Sequence, residues 1–290
     1  MTADSAHGAL PVAAMLVAIL SVNLGASFAK RLFPVFGVAL TTELRLLVGA
    51  LLLVPLLRPW RLRLPPRAWG PIALLGAVIA AMNFVFYSAV QRIPLGIAVA
   101  LEFTGPLVVA AVASHRAVHL LWIALAALGV VLLLPLTHTA GPLDLIGVLL
   151  ALLAACCWAG YMVLAQRVGG AWGDQVIALA IAWGAVLFLP VMLVQAHPVA
   201  FTLPQARDAL LVGVFSSALP FSLEMYALTR MPARVYGTLT SLEPAVGALM
   251  GFMILHELPA VLQVAGIVAV TAASVGTAAT ARGEKARPDG

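Results

Sequence analysis

Charge is what this chain most lacks. Asp, Glu, Lys and Arg together make up 9% of its 290 residues, while 63% are hydrophobic. A soluble domain carries about 25% charged residues, and no soluble fold hides this much apolar surface. Cysteine is scarce too. Cys156 and Cys157 are adjacent in an apolar stretch and form neither a CxxC nor a metal-ligand spacing; they read as packing residues. No GxxxxGK[ST] motif occurs, so ATP binding through a P-loop is excluded and any transport must be secondary. The opening MTADSAHGAL holds no Lys or Arg. It therefore lacks the basic region of a secretory signal, and the first apolar run reads as a retained span. No set of nucleophile, base and orienting group is evident, so no enzyme and no cofactor are expected. His115 and His119 stand at i, i+4 without the Glu of HExxH, so no metal site is expected either.

What the chain has is long, continuous apolar runs. A helix needs about 20 such residues to cross a hydrocarbon core of about 30 Å. Continuous runs suit helices, whereas a β-barrel reads as short alternating segments. The pattern predicts ten spans, at 10–29, 36–57, 70–91, 95–114, 118–136, 143–165, 175–195, 208–229, 234–255 and 260–280. That leaves short loops and no extramembrane domain. The net charge of +5 does not point to nucleic acid, because the basic residues sit at span ends and in loops. With the N-terminus inside, eleven Lys and Arg fall on the inner side and four on the outer, which favours two cytoplasmic termini. Lys30 and Arg31 run against that rule. Glu224 lies nearer the inner surface, where an inner-loop Arg is an equal candidate to pair with it.

The chain also repeats. GALLLVP at 49–55 returns as GAVLFLP at 184–190, and Lys30-Arg31 aligns with Gln166-Arg167. Gly129 aligns with Gly266, and Arg92, Pro94 and Pro106 align with Arg230, Pro232 and Pro244. These anchors share one period near half the chain. The repeat unit holds five spans, and five is odd, so the second copy starts from the opposite side of the membrane. The expected fold is an all-α membrane protein of two inverted five-helix repeats, at 1–138 and 139–281, with a basic cytoplasmic tail at 282–290. Inverted repeats suit alternating access around a site at their interface.

Ionisable residues within a span cost at least about 2.5–3.5 kcal/mol and mark functional sites. Glu43, Arg45, Glu102, Glu224 and Glu243 are of this kind. Glu102 sits mid-span in LEFTGP, and Pro106 has no N–H for the carbonyl of residue 102. Glu243 and Pro244 take the matching place in the other half, where Pro244 frees the carbonyl of Thr240. Two Pro-interrupted helices at matching positions are the best sequence pointer to a transport site. Thr104 and Ser241, in the same two motifs, join the candidates. Arg45 has two readings: it holds a substrate carboxylate, or it pairs with a Glu of another helix. Asn83, Tyr87 and Gln91 line one helical face at i, i+4 and i+8, and Trp158 with Tyr161 can line a cavity or pack. Asn23 and Ser27 carry the same two readings. Glu43 is placed near the outer end of its span, at the interface.

Several stretches resemble the ten-helix EamA branch of the drug/metabolite transporter superfamily. They are GASFAKRLFP at 25–34, PWRLR at 59–63, PLGIAVALEFTGPL at 94–107, SLEMYALTRMPARVYGTL at 222–239 and SLEP at 241–244. The resemblance covers nearly the whole chain. It implies a central cavity between the halves and export of small neutral amino acids, threonine- or homoserine-like, across the bacterial inner membrane. Glu43 and His256 depart from the family pattern, both toward the outer face. A zwitterion needs an anion near its ammonium, which Glu102 or Glu243 supplies. It needs a donor near its carboxylate, which Arg45, Asn83 or Tyr87 supplies. Protons are the expected counter-cargo, with Glu102 or Glu243 carrying them. The alternatives are export of drugs or other metabolites, and a membrane interaction protein with no transport cycle. Oligomeric state is not encoded in any feature of the sequence.

Overall fold

The computed structural model describes residues 3–112, 118–133, 144–173, 175–195, 202–228, 230–231 and 233–280. Every regular element among them is helical. The expected boundary between repeats near 138, His115 and the tail at 282–290 lie outside the described residues.

The first element, α1 (Ala3–Leu57), is interrupted at Gly37, whose φ of 71° and ψ of 169° are not helical. Two contacts show that the chain doubles back there. A Cβ on Gly25 would lie 2.6 Å from Ser216 N, and one on Gly49 would lie 3.0 Å from Ser217 Cβ. Those partners are neighbours in sequence, yet a straight helix would hold Gly25 and Gly49 about 36 Å apart. So α1 is a pair of limbs folded at Gly37, a conformation that only glycine adopts readily. The expected loop at 30–35 is instead helical. Pro34 removes one hydrogen bond from the ladder without ending the helix, and the turn falls at the next glycine.

The remaining helices are α2 (Trp69–Arg92), α3 (Leu95–Glu102), α4 (Thr104–Val112), α5 (Val118–Leu133), α6 (Leu145–Trp172) and α7 (Val176–Gln195), then α8 (Leu203–Gly213), α9 (Leu219–Leu228), α10 (Ala233–Thr240), α11 (Glu243–Leu255) and α12 (Val261–Thr280). A π-helical turn, Val214–Ala218, joins α8 to α9. Pro220 has no N–H to give to the carbonyl of Ser216, which favours such a wider turn. Several ends differ from the expected spans. Asp144 caps α6 by accepting from Ile146 N and Gly147 N at 2.8 and 3.4 Å. The helix then runs on through Gln166 and Arg167, which were expected in a loop. Thr202 and Gln205 form a capping box on α8, so Arg207 lies in a helix rather than before it.

Among the described residues six apolar helical stretches are long enough to cross a bilayer, and three shorter apolar helices accompany them. Burial is inverted relative to a soluble protein. Val194, Val261 and Leu51 are 86%, 86% and 71% exposed, while Glu43, Arg45, Glu102 and Glu243 are buried. The bundle is drawn tight at small residues. α2 meets α7 where a Cβ on Gly76 would stand 2.3 Å from Ala180 O and 2.8 Å from Gly184 N, and α5 meets α12 where one on Gly129 would stand 2.9 Å from Gly266 O. Elsewhere α2 lies along α6, α3 along α11, and the limbs of α1 along α7, α8 and α9.

Candidate functional site

Two of the expected spans are broken in the middle. The 95–114 span parts at Phe103 into α3 and α4, and the 234–255 span parts at Ser241–Leu242 into α10 and α11. Pro106 and Pro244 are the cause, since each leaves a carbonyl of the preceding turn without its helical donor. Local side chains serve the breaks. Thr104 Oγ1 donates to Leu101 O at 2.6 Å, and Ser241 Oγ donates to Gly237 O at 2.8 Å. Both hydroxyls are thus spent on the backbone.

The breaks bring Glu102 and Glu243 together. α3 and α11 run side by side, with a Cβ on Gly96 2.5 Å from Ala248 Cα and one on Gly247 3.0 Å from Val99 Cγ2. One helical turn further along each helix stand Glu102 and Glu243. Both are buried, and Glu102 lies close enough to act electrostatically on Glu243. Gly105 presses α4 onto α6, since a Cβ there would stand 2.1 Å from Ala155 O. Across that contact Phe103 packs edge-on to Trp158, with ring centroids 5.4 Å apart.

Arg45 approaches from the second limb of α1. Its Nε donates to Ser217 Oγ at 3.4 Å, and its guanidinium lies 5.3 Å from the centre of the Tyr87 ring. Its charge acts on Glu102. The Tyr87 hydroxyl is fully buried and has no hydrogen-bond partner. Asn83, one turn earlier, donates to Ile79 O at 2.7 Å, and Asn23 donates to Ile19 O at 2.9 Å. Ser27 donates to the Asn23 carbonyl at 3.0 Å.

Glu224 was balanced in the sequence between this region and an inner-loop arginine. Its electrostatic neighbours are Glu243, Tyr161 and Tyr236. Tyr236 was missed by sequence reasoning, although its spacing of four from Thr240, with which it shares a hydrogen bond, places it on the segment leading to the second break. Ser217 was missed as well; its only signal was the Ser-Ser pair before Pro220. Glu43 does not reach the interface. It is 1% exposed, and neither carboxylate oxygen has a hydrogen-bond partner. Its helical face is shared with Ala39 and Leu46, which are core residues. Among the described residues no group of three or more His, Cys, Asp or Glu is arranged to hold a metal ion.

Three carboxylates, Glu102, Glu224 and Glu243, therefore share one low-dielectric interior, where Glu102 and Glu224 both act on Glu243 and the single guanidinium of Arg45 acts on Glu102. Such a site favours cations, and the free carbonyls and the Tyr87 hydroxyl add polar groups without a charge of their own. This is a multi-pass α-helical membrane protein with Glu43, Arg45, Glu102 and Glu243 buried in its interior.

Residues 145–279 match the EamA-like transporter family. Over 275 residues, 95% of this chain, the sequence is 44% identical to the threonine/homoserine exporter RhtA of Salmonella typhimurium strain SL1344, covering 93% of that protein. It is 43% identical over the same length to the RhtA exporter of Escherichia coli K12. The chain belongs to the EamA-like transporter family, and a transporter, not an enzyme, is what that membership makes it. A solved crystal structure shares the fold, with a TM-score of 0.64 at 17% identity, over 94% of this chain and 99% of the other.

Proposed function

We propose that this protein exports small neutral amino acids, threonine- or homoserine-like, across the bacterial inner membrane in exchange for protons. The extended identity to exporters of that cargo supports the substrate class. The observation that carries the mechanism is the meeting of Glu102 and Glu243 at two helix breaks, with Arg45 acting on Glu102. An ammonium group finds carboxylates there, and a carboxylate finds a guanidinium. When the amino acid leaves, the carboxylates need a proton in its place, because an uncompensated charge at membrane depth is costly. Substrate and proton then compete for the same groups, which is the minimum requirement for antiport. Asn83, Tyr87, Thr104, Trp158, Tyr161 and Ser241 complete the candidate lining. A large apolar drug would have no use for this arrangement of charges.

The same reading takes the chain as ten spans in two inverted repeats. Counting the limbs of α1 separately and rejoining the broken helices yields ten. The packing supports the repeat: α2 lies against α6 and α7, while α8 lies against α1. The offset that separates Gly129 from Gly266 also separates Gly76 from Gly213. Gly76 packs on Gly184, and Gly213 packs on Val48, which is the equivalent of Gly184 to within one residue. Reporter fusions are expected to place both termini and the 58–69 loop in the cytoplasm.

The test is uptake of labelled threonine and homoserine into everted membrane vesicles. The expected result is accumulation driven by an acid interior and abolished by collapsing the pH gradient. Equal uptake by vesicles with and without the protein would refute the reading.

A further inference from the structure

A second polar cluster lies away from the carboxylates. Lys30 Nζ donates to Glu257 Oε1 at 2.7 Å and to Ile93 O at 2.8 Å. The other oxygen, Glu257 Oε2, accepts from Leu95 N at 2.7 Å. Leu95 is the first residue of α3, whose leading N–H groups have no partner within the helix and form the positive end of its dipole. Glu257 thus joins a cation of α1 to the start of α3, using both oxygens in charge-assisted bonds.

The surroundings hold Glu257 in place. His256 turns the chain with φ of 56°, and the Glu257 N–H donates to Gly251 O at 3.1 Å. Gly251 leaves room for the carboxylate, since a Cβ there would stand 2.8 Å from Oε2. Arg31 adds a hydrogen bond to Ile254 O. The crevice beside Glu257, between Pro94, Gly96, Ala248 and Pro259, has a volume of about 10 Å³, at the limit for one water molecule. The Lys30 and Glu257 side chains beside it are 22% and 16% exposed, largely withdrawn from the surface.

The other end of α3 is Glu102. The helix has eight residues, about 12 Å of rigid rod. Glu257 comes from the second half of the chain, and its partners Lys30 and Leu95 both come from the first. With the N-terminus in the cytoplasm, the cluster is on the outer side. Parting the halves there must break both bonds to Glu257 and the bond from Arg31 to Ile254 O, and must free the start of the rod whose other end is Glu102.

We propose that Glu257, bridging Lys30 and the N-terminus of α3, is the latch of the outer gate and the positioning residue for Glu102. This rests on the alternating-access reading above. Lys30 and Arg31, which break the charge rule for loops, then have a use: they hold the outer closure. The latch is more than an ion pair, because a lysine at position 257 cannot accept the Leu95 N–H.

The test reads access, not transport. Val99→Cys lies on α3 one turn from Glu102 and faces α11, in a background with Cys156→Ala and Cys157→Ala. A membrane-impermeant thiol reagent is added from the outer side of intact cells. Glu257→Gln and Lys30→Met are each expected to raise the labelling rate about tenfold or more, the effect of 1.4 kcal/mol removed from the closed state. The charge exchange Lys30→Glu with Glu257→Lys should stay as reactive as the single variants. Ala248→Cys, on the opposing helix, repeats the measurement should Val99→Cys fail to insert. Labelling unchanged in the single variants overturns the latch, and full restoration by the charge exchange reduces it to an ordinary ion pair and overturns the role of Leu95. If labelling rises but wild-type vesicles fail to move threonine, the latch stands and the proposed cargo falls.

Discussion

Glu102 ends α3 and Glu243 begins α11, and one turn away the same two helices touch at Val99 and Gly247. The carboxylates are held as neighbours by a contact that allows no side chain at 247. A Cβ there would stand 2.9 Å from Asn23 Oδ1 and 3.0 Å from Val99 Cγ2. Gly247→Leu is therefore expected to wedge α3 from α11, at a cost of about 1–3 kcal/mol for overpacking, and to lower threonine transport at least tenfold. Gly160→Ala is the control, because its Cβ would meet nothing within 4 Å. Transport rates normalised to inserted protein check both.

Arg45 separates charge from shape. Arg45→Lys keeps a cation but loses the planar fork that grips a carboxylate at two points, and with it the bond to Ser217 Oγ. We expect KM for threonine to rise about tenfold, the equivalent of 1.4 kcal/mol, with insertion unchanged. Arg45→Ala should be worse, since it leaves Glu102 without a facing cation. Normal transport by Arg45→Ala would remove the residue from the site.

Glu43 has no partner for either oxygen. Leaving a buried polar group unsatisfied costs about 1–3 kcal/mol. Glu43→Met, similar in volume and apolar, is expected to stabilise the protein by an amount in that range, read as a higher Tm in detergent. A fall in Tm would mean that the carboxyl has a partner in the membrane.

At the start of α6 the hydrogen bond from Arg92 holds the Asp144 carboxyl below the usual carboxylate range, opposed by desolvation and helped by the N–H groups of Ile146 and Gly147. A depressed pKa in the folded state means that the stabilisation is complete above the unfolded value of about 3.9. It is lost as pH falls through the lower folded value. Asp144→Asn keeps a capping oxygen but no charge. The Tm difference between wild type and Asp144→Asn should be constant from pH 5 to 7 and shrink below about pH 4. A difference that grows on acidification would contradict the assignment.

The breaks at Phe103 and at Ser241–Leu242 were legible because Pro106 and Pro244 act through covalent geometry, which needs no neighbour. The apolar helices were legible for the same reason: their length and hydropathy are local. The fold point at Gly37 was not, because Lys30, Arg31 and Pro34 suggested an earlier loop, and the groups that take up the two cations, Glu257 and the Ile254 carbonyl, lie more than two hundred residues away. The burial of Glu43 and the proximity of Glu224 to Tyr161 and Tyr236 depend on which helices lie side by side. A single sequence carries no record of that. Thr104 and Ser241 were placed at the breaks, yet their hydroxyls serve the backbone.

The central claim is that substrate and proton share the buried carboxylates, and Glu102→Gln in proteoliposomes tests it most directly. Glutamine keeps the size and a hydrogen-bonding capacity but carries no proton across. Threonine uptake driven by a pH gradient is expected to fall at least tenfold, while exchange of labelled for unlabelled threonine at equal concentrations continues. Glu243→Gln, measured beside it, assigns the role between the two carboxylates. Full pH-driven uptake in both variants would contradict the account.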